Sequence, residues 1–63
     1  MKREDITKNL NRKVKYDNAV YILRGVMVSR NESTRALVYT AHLQDYKAPQ
    51  SYLNCDLWRV DTI

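Results

Sequence analysis

The 63-residue sequence predicts an all-β fold, a small five-stranded barrel, on three observations. Tyrosine, valine, isoleucine and threonine crowd the middle of the chain, and these side chains suit a pleated, half-buried surface. Residues 36–44 alternate: Leu37, Tyr39, Ala41 and Leu43 share one face, while Ala36, Val38, Thr40, His42 and Gln44 share the other. A long apolar segment, Ala19 to Arg30, carries the only glycine of the chain, Gly25, near its centre, where a strand is expected to bend.

The elements follow in order. Residues 1–12 read as a basic N-terminal extension ahead of a single domain at 13–63. In the extension, Ile6 and Leu10 are spaced for one helical turn, with Asp5 as its N-cap. Lys13 to Tyr16 forms a first strand with Val14 and Tyr16 on one face. Asp17-Asn18 follows, and both residue types tolerate the positive φ of a two-residue hairpin turn. Ala19 to Arg30 is the second strand, Asn31 to Thr34 a turn, and Arg35 to Asp45 the third strand. Tyr46 to Gln50, with Pro49, is a loop. Ser51 to Asn54 and Trp58 to Ile63 supply two further strands, and the CDLW stretch between them a tight or 3₁₀ turn.

The second strand is apolar on both faces, at Tyr21-Ile22-Leu23 and again at Val26-Met27-Val28. A first loop of Asp17-Asn18 alone sets Tyr16 opposite Ala19 and Val14 opposite Tyr21, so Tyr21 and Leu23 face inward with Val14. A second loop of Asn31 to Thr34 alone sets Arg30 opposite Arg35, Val28 opposite Leu37 and Val26 opposite Tyr39, so Val26 and Val28 also face inward. Leu23 and Val26 are three apart, and a regular strand cannot satisfy both hairpins. A β-bulge at Arg24-Gly25 reconciles them and turns Arg24 to solvent. The alternative is a regular strand with Ile22 inside and a different first turn.

A long strand bent at its centre, within a five-strand meander that has a tight turn before its last strand, resembles the SH3-like small barrels. Curling the sheet also buries its edges. The competing architecture is an open antiparallel sheet completed by dimerisation. The REDI start, VKYDNAVYILRGV, the third strand ending in LQD and the closing CDLWRV resemble small uncharacterised proteins carried on mobile elements of Firmicutes. That resemblance covers most of the chain and implies an SH3-like fold; it implies no activity.

Length and composition narrow the function. A chain this short buries only roughly 60% of its unfolded surface. No apolar run approaches the ~18 residues of a bilayer span, and MKREDITKN lacks the apolar stretch of a secretory signal, so a cytoplasmic protein is expected. The lone Cys55 closes no internal disulfide, which leaves stability to the core or to a partner. Catalysis is not expected. His42 and Cys55 lack the local signature of a nucleophile and its base; the sequence reads Cys55 as a small buried hydrophobe and His42 as an outer-face polar residue. One histidine and one cysteine make no closed zinc site. Asp45, Asp56 and Asp61 lack calcium-loop spacing, and a single glycine makes no phosphate-cradling loop. No cofactor, small-molecule substrate or membrane is expected.

Two surface features remain. The net charge of +4 resides in residues 1–15, which hold six basic and two acidic side chains; the rest of the chain is neutral. Lys2, Arg3, Lys8, Arg12, Lys13 and Lys15 form a candidate nucleic-acid surface, extended by Arg30 and Arg35 at the second hairpin. Tyr46 and Tyr52 flank the Pro49 loop, where they either stack on bases or a peptide or simply cap the barrel end. Tyr16, Tyr21 and Tyr39 fall on the inner face, and Trp58 is placed to seal the barrel. With the bulge in place, Val20, Ile22, Met27 and Val38 lie outside as an apolar strip. Either that strip is an interface, or Ile6, Leu10 and Ile63 fold back over it. The sequence therefore favours a non-enzymatic binding domain contacting an unknown protein or a second copy of itself. Nucleic-acid binding is the alternative.

Overall fold

The computed structural model describes residues 1–63 and is mostly β. Five antiparallel strands make one sheet: β1 (Lys13–Tyr16), β2 (Ala19–Arg30), β3 (Leu37–Asp45), β4 (Tyr52–Asp56) and β5 (Asp61–Thr62). Their spatial order is β4-β3-β2-β1-β5, a meander whose last strand returns beside the first. A 3₁₀ turn (Arg3–Asp5) runs into α1 (Ile6–Asn9), and a second 3₁₀ turn (Leu57–Arg59) joins β4 to β5.

The first hairpin closes through Asp17 (φ 51°) and Asn18 (φ 62°), both left-handed as a two-residue turn of this hand requires. Tyr16 pairs with Ala19 and Val14 with Tyr21, as the sequence implies. The bulge also falls where the two hairpins demand it. Leu23 pairs with Leu43 and Gly25 with His42, so Arg24 is the extra residue. Leu23 is fully buried, Arg24 is exposed and Val26 packs half-buried against the core. Gly25 is not what makes the bulge possible. Its φ is not positive, and a Cβ built on it meets nothing within 4 Å.

The second hairpin departs from expectation in length. Arg30 pairs with Leu37, not with Arg35, and the loop runs over residues 31–36. Asn31 is the cause. Its Oδ1 accepts the N–H groups of Ser33 at 2.9 Å and Thr34 at 3.3 Å, and its carbonyl accepts Arg35 N–H at 2.6 Å. Arg35 takes a left-handed φ of 59°, which ends the loop and delays β3 to Leu37. The register shift is two residues. Because side chains alternate with period two, every residue keeps its expected face.

Two further departures from the expected elements are local, at Asp5 and at Trp58. Asp5 precedes α1 without a side-chain cap; instead Asn9 Nδ2 donates to the Asp5 carbonyl at 2.8 Å, and Asn11 (φ 65°) breaks the chain toward β1. Trp58 belongs to the second 3₁₀ turn, not to the last strand, which shrinks to two residues.

The expected closed barrel is an unclosed sheet, because β4 and β5 do not pair. It is nonetheless curled. Flat, the two edge strands would stand ~19 Å apart, as four spacings of ~4.8 Å. Asp56 to Asp61 is five residues, at most ~17 Å when extended and less with three of them in a 3₁₀ turn. The seam is filled by side chains where a ladder would have run. Leu57 and Val60 are both fully buried there, and their carbonyls accept the Met1 amino nitrogen.

Val14, Leu23, Tyr39, Ala41, Leu43, Leu57 and Val60 form the core on the concave face. Met1 and Ile6 pack over its open side, so the N-terminal segment covers the inner face of the sheet. Neither this segment nor the C-terminal Ile63 roofs the outer strip: Val20 is 37% and Met27 52% exposed, and Leu10 and Ile63 are themselves exposed. At the first hairpin Tyr16 and Tyr21 meet edge-on, ring centres 6.2 Å apart, against the same core.

Urea denaturation separates the two kinds of position. Leu43→Ala is expected to cost about 2–5 kcal/mol as a core truncation. Gly25→Ala is expected to stabilise by about 0.4–1 kcal/mol through the unfolded chain, since its backbone and space accept a methyl group. A destabilising Gly25→Ala would show that the bulge needs glycine after all.

Candidate functional site

The most distinctive surface is a two-stranded arm. β2 is twelve residues long, whereas its neighbour β1 has four, and β4 beside β3 has five. β1 contacts end where Leu23 exchanges hydrogen bonds with Arg12 and Asn11, and β4 pairing ends at Thr40–Asp56. Beyond those points β2 from Gly25 to Arg30 has β3 as its only neighbour, and Val28 to Arg30 and Leu37 to Tyr39 pair only with each other. The molecule is accordingly elongated, 37 × 22 × 18 Å.

The arm is apolar on both faces. On the outer side Met27 is 52% exposed, with half-buried Val38 on the diagonal. On the inner side Val28 is 51% and Leu37 52% exposed, because the core stops at Tyr39. The expected strip is therefore divided. Met27 and Val38 lie on the arm, whereas Val20 and Ile22 lie on the body of the sheet, past Arg24 and His42. Val28 and Leu37, inward-facing by sequence and open in the structure, are the members that sequence reasoning missed. The signal for them was the mismatch in strand length.

The basic residues fall into three separate places. Lys8, Arg12 and Lys13, with Asn9, Asn11, Ile22 and Ile63, surround an open depression of about 500 Å³. Lys15 continues the outer face of β1 from Lys13 and sits beside Val20 and Asp61. Lys2 and Arg3 lie apart from these, at the start of the first 3₁₀ turn. The Arg3 guanidinium reaches the Tyr39 phenol, and a hydrogen bond to it, first among the causes, pushes the Arg3 pKa up, so Arg3 stays a cation. Arg30 and Arg35 stand at the arm's far end. They extend neither group.

The aromatic side chains are mostly engaged. Tyr39 packs against Trp58 with ring centres 5.4 Å apart, holding the second 3₁₀ turn on β3 while leaving Trp58 56% exposed. Lys13 Nζ lies 4.5 Å from the centre of the Tyr46 ring, so a base stacking there would have to displace it. Tyr52 is 65% exposed. The Pro49 loop beside it is shaped by Asp45 Oδ1, which accepts Lys47 N–H at 2.9 Å and Ala48 N–H at 3.2 Å.

His42 and Cys55 sit on adjacent strands but opposite faces. Ala41 pairs with Cys55 and His42 with Asn54, so Cys55 turns to the core and His42 outward. They do not form a nucleophile–base pair. No group of three His, Cys, Asp or Glu side chains converges as a metal site, and no helix is long and apolar enough to cross a membrane.

Burial, followed by the neighbouring Asp56 charge, pushes the Cys55 thiol above its ordinary pKa, with Arg59 opposing in part. The native thiol is thus protonated over a wider pH range than in the unfolded chain. Its contribution to stability is complete below the ordinary thiol pKa and is lost as pH rises through the raised one. Alkylation by iodoacetamide at neutral pH is expected to be slower in the native protein than in denaturant, and to accelerate only under alkaline conditions. Faster native alkylation at neutral pH would contradict this environment.

Comparison with known protein families finds none that matches the chain, and comparisons with curated proteins and with solved structures find no match either.

Proposed function

We propose that this chain is a small non-enzymatic protein-interaction module that works through its arm, with a second copy of the chain as its first partner. The observation that carries this reading is the arm itself. A two-stranded ribbon is marginal in water on its own, and this one leaves apolar side chains open on both faces. A surface of that kind is stabilised when another chain covers it. The curled sheet is read as an SH3-like barrel left open at one seam; the bulged long strand, the 3₁₀ turn before the last strand and that strand's place beside β1 support this. The likeness to the mobile-element proteins belongs to the same proposal, as does a cytoplasmic location. Sedimentation velocity at tens of micromolar is expected to show a dimer that Met27→Lys weakens, since the substitution places a charge on the arm's outer face. A monomer at all concentrations would overturn the reading.

Nucleic-acid binding is the second reading, favoured by one observation: Lys8, Arg12, Lys13 and Lys15 gather around the depression and the outer face of β1. Four phosphate contacts there give a log–log salt slope of about −3 to −4, from ~0.7–0.9 per contact. Lys13→Glu with Lys15→Glu should weaken such binding without unfolding the sheet, because both side chains are exposed. Absence of DNA or RNA binding in gel shifts at about 50 mM salt removes this alternative.

A further inference from the structure

The open edge of β2 carries a self-complementary pattern, and we infer that a second copy of this chain pairs with it, β2 against β2, antiparallel and centred on Val28. This rests on the reading of the arm as a contact surface, and adds the edge and the register.

Main-chain direction identifies the edge. Asn31 N–H donates to the Ala36 carbonyl at 2.9 Å, and opposite residues in an antiparallel ladder alternate between bonded and non-bonded pairs. With Ser29 opposite Val38 and Met27 opposite Thr40, those residues bond to β3. Val26, Val28 and Arg30 therefore aim their N–H and C=O groups the other way. On that side β1 has already ended, and no backbone hydrogen bond outside the ladders reaches residues 24–30. Unpaired groups of this kind are a template for another strand. The arm's opposite edge is less open, because the Leu57–Arg59 turn packs on β3 and Trp58 lies against Tyr39.

Charge selects the occupant and the register. Centred on Val28, a two-fold axis sets Val28 against its own copy, Val26 against Arg30 and Met27 against Ser29. Just beyond this paired stretch, the loop of the second copy brings Glu32 toward the exposed Arg24 at the bulge. Opposite charges at that position favour association, and no like charges face each other. Centring on Met27 would oppose Arg30 to Arg24, and centring on Arg30 would oppose that residue to itself. Centring on Ser29 would set Glu32 against the apolar Val26. Only the Val28 register combines main-chain bonding with matched charge.

The test is cysteine cross-linking in a Cys55→Ser background. Opposite residues in a bonded antiparallel pair have Cα atoms about 5.5 Å apart, within the ~4.4–6.8 Å range of a disulfide. A cysteine at position 26 would lie ~13 Å from its own copy, four residues along the strand. Mild oxidation of Val28→Cys is expected to yield a covalent dimer, lost when denaturant precedes oxidation, whereas Val26→Cys yields none. Arg24→Glu and Glu32→Arg should each weaken association several-fold, and the two together should restore it. Equal linking at 26 and 28, preferred linking at 27 or 29, or no rescue by the charge swap would overturn this register. If the native chain sediments as a dimer but position 28 does not link, the edge pairing falls while the contact-surface reading stands. If it sediments as a monomer from about 10 to 300 µM, spanning weak affinities, both fall.

Discussion

Everything in this fold depends on one unpaired residue in β2. Strand side chains alternate with period two, so a regular β2 would bury its correct face at one end and expose it at the other. Inserting Arg24 resets the alternation, and Leu23 and Val26 both turn toward the core although they are three apart. The first hairpin contributes Val14 and Tyr21, and the second contributes Tyr39, Ala41 and Leu43, to a single concave face. The residue that performs this shift is itself charged and solvated, so the bulge places no polar group in the core.

A sheet bent this way still has a seam, and the chain fills it with apolar side chains instead of a strand. Leu57 and Val60 point into the core from the short connection between β4 and β5, and Met1 and Ile6 cover the remaining side. The N-terminal segment is thus part of the packed unit as well as the carrier of the net positive charge. Its apolar residues go inward, and its lysines and arginines divide between the outer depression and the Tyr39 side.

Much of this was legible in the residues. Asp17-Asn18 specifies a left-handed two-residue turn by local sterics, and the alternation from Leu37 to Leu43 specifies which face is buried. Their combination implied the bulge without any tertiary information. The longer second loop was hidden, because it depends on how the Asn31 side chain and carbonyl gather the N–H groups that follow. The absence of a closing ladder was hidden for another reason: propensity does not report that Trp58 packs against Tyr39 in a turn and shortens the last strand. The candidate site was only half visible. Met27 and Val38 follow from alternation, but the openness of Val28 and Leu37 depends on where β1 and β4 stop, a relation between distant segments. The division of the basic residues depends in the same way on the path of residues 1–12.

The position of Trp58 has an optical consequence. It is the only tryptophan of the chain, it bridges the seam by lying on Tyr39, and half of its surface meets water. Its emission is therefore a built-in gauge of the seam, with Tyr39 at 5.4 Å as an efficient energy donor while the turn stays docked. Opening of the turn changes that signal whether or not the hairpins separate. Events confined to the far end of the arm leave it nearly silent, so seam and arm are spectroscopically distinguishable in the unmodified molecule.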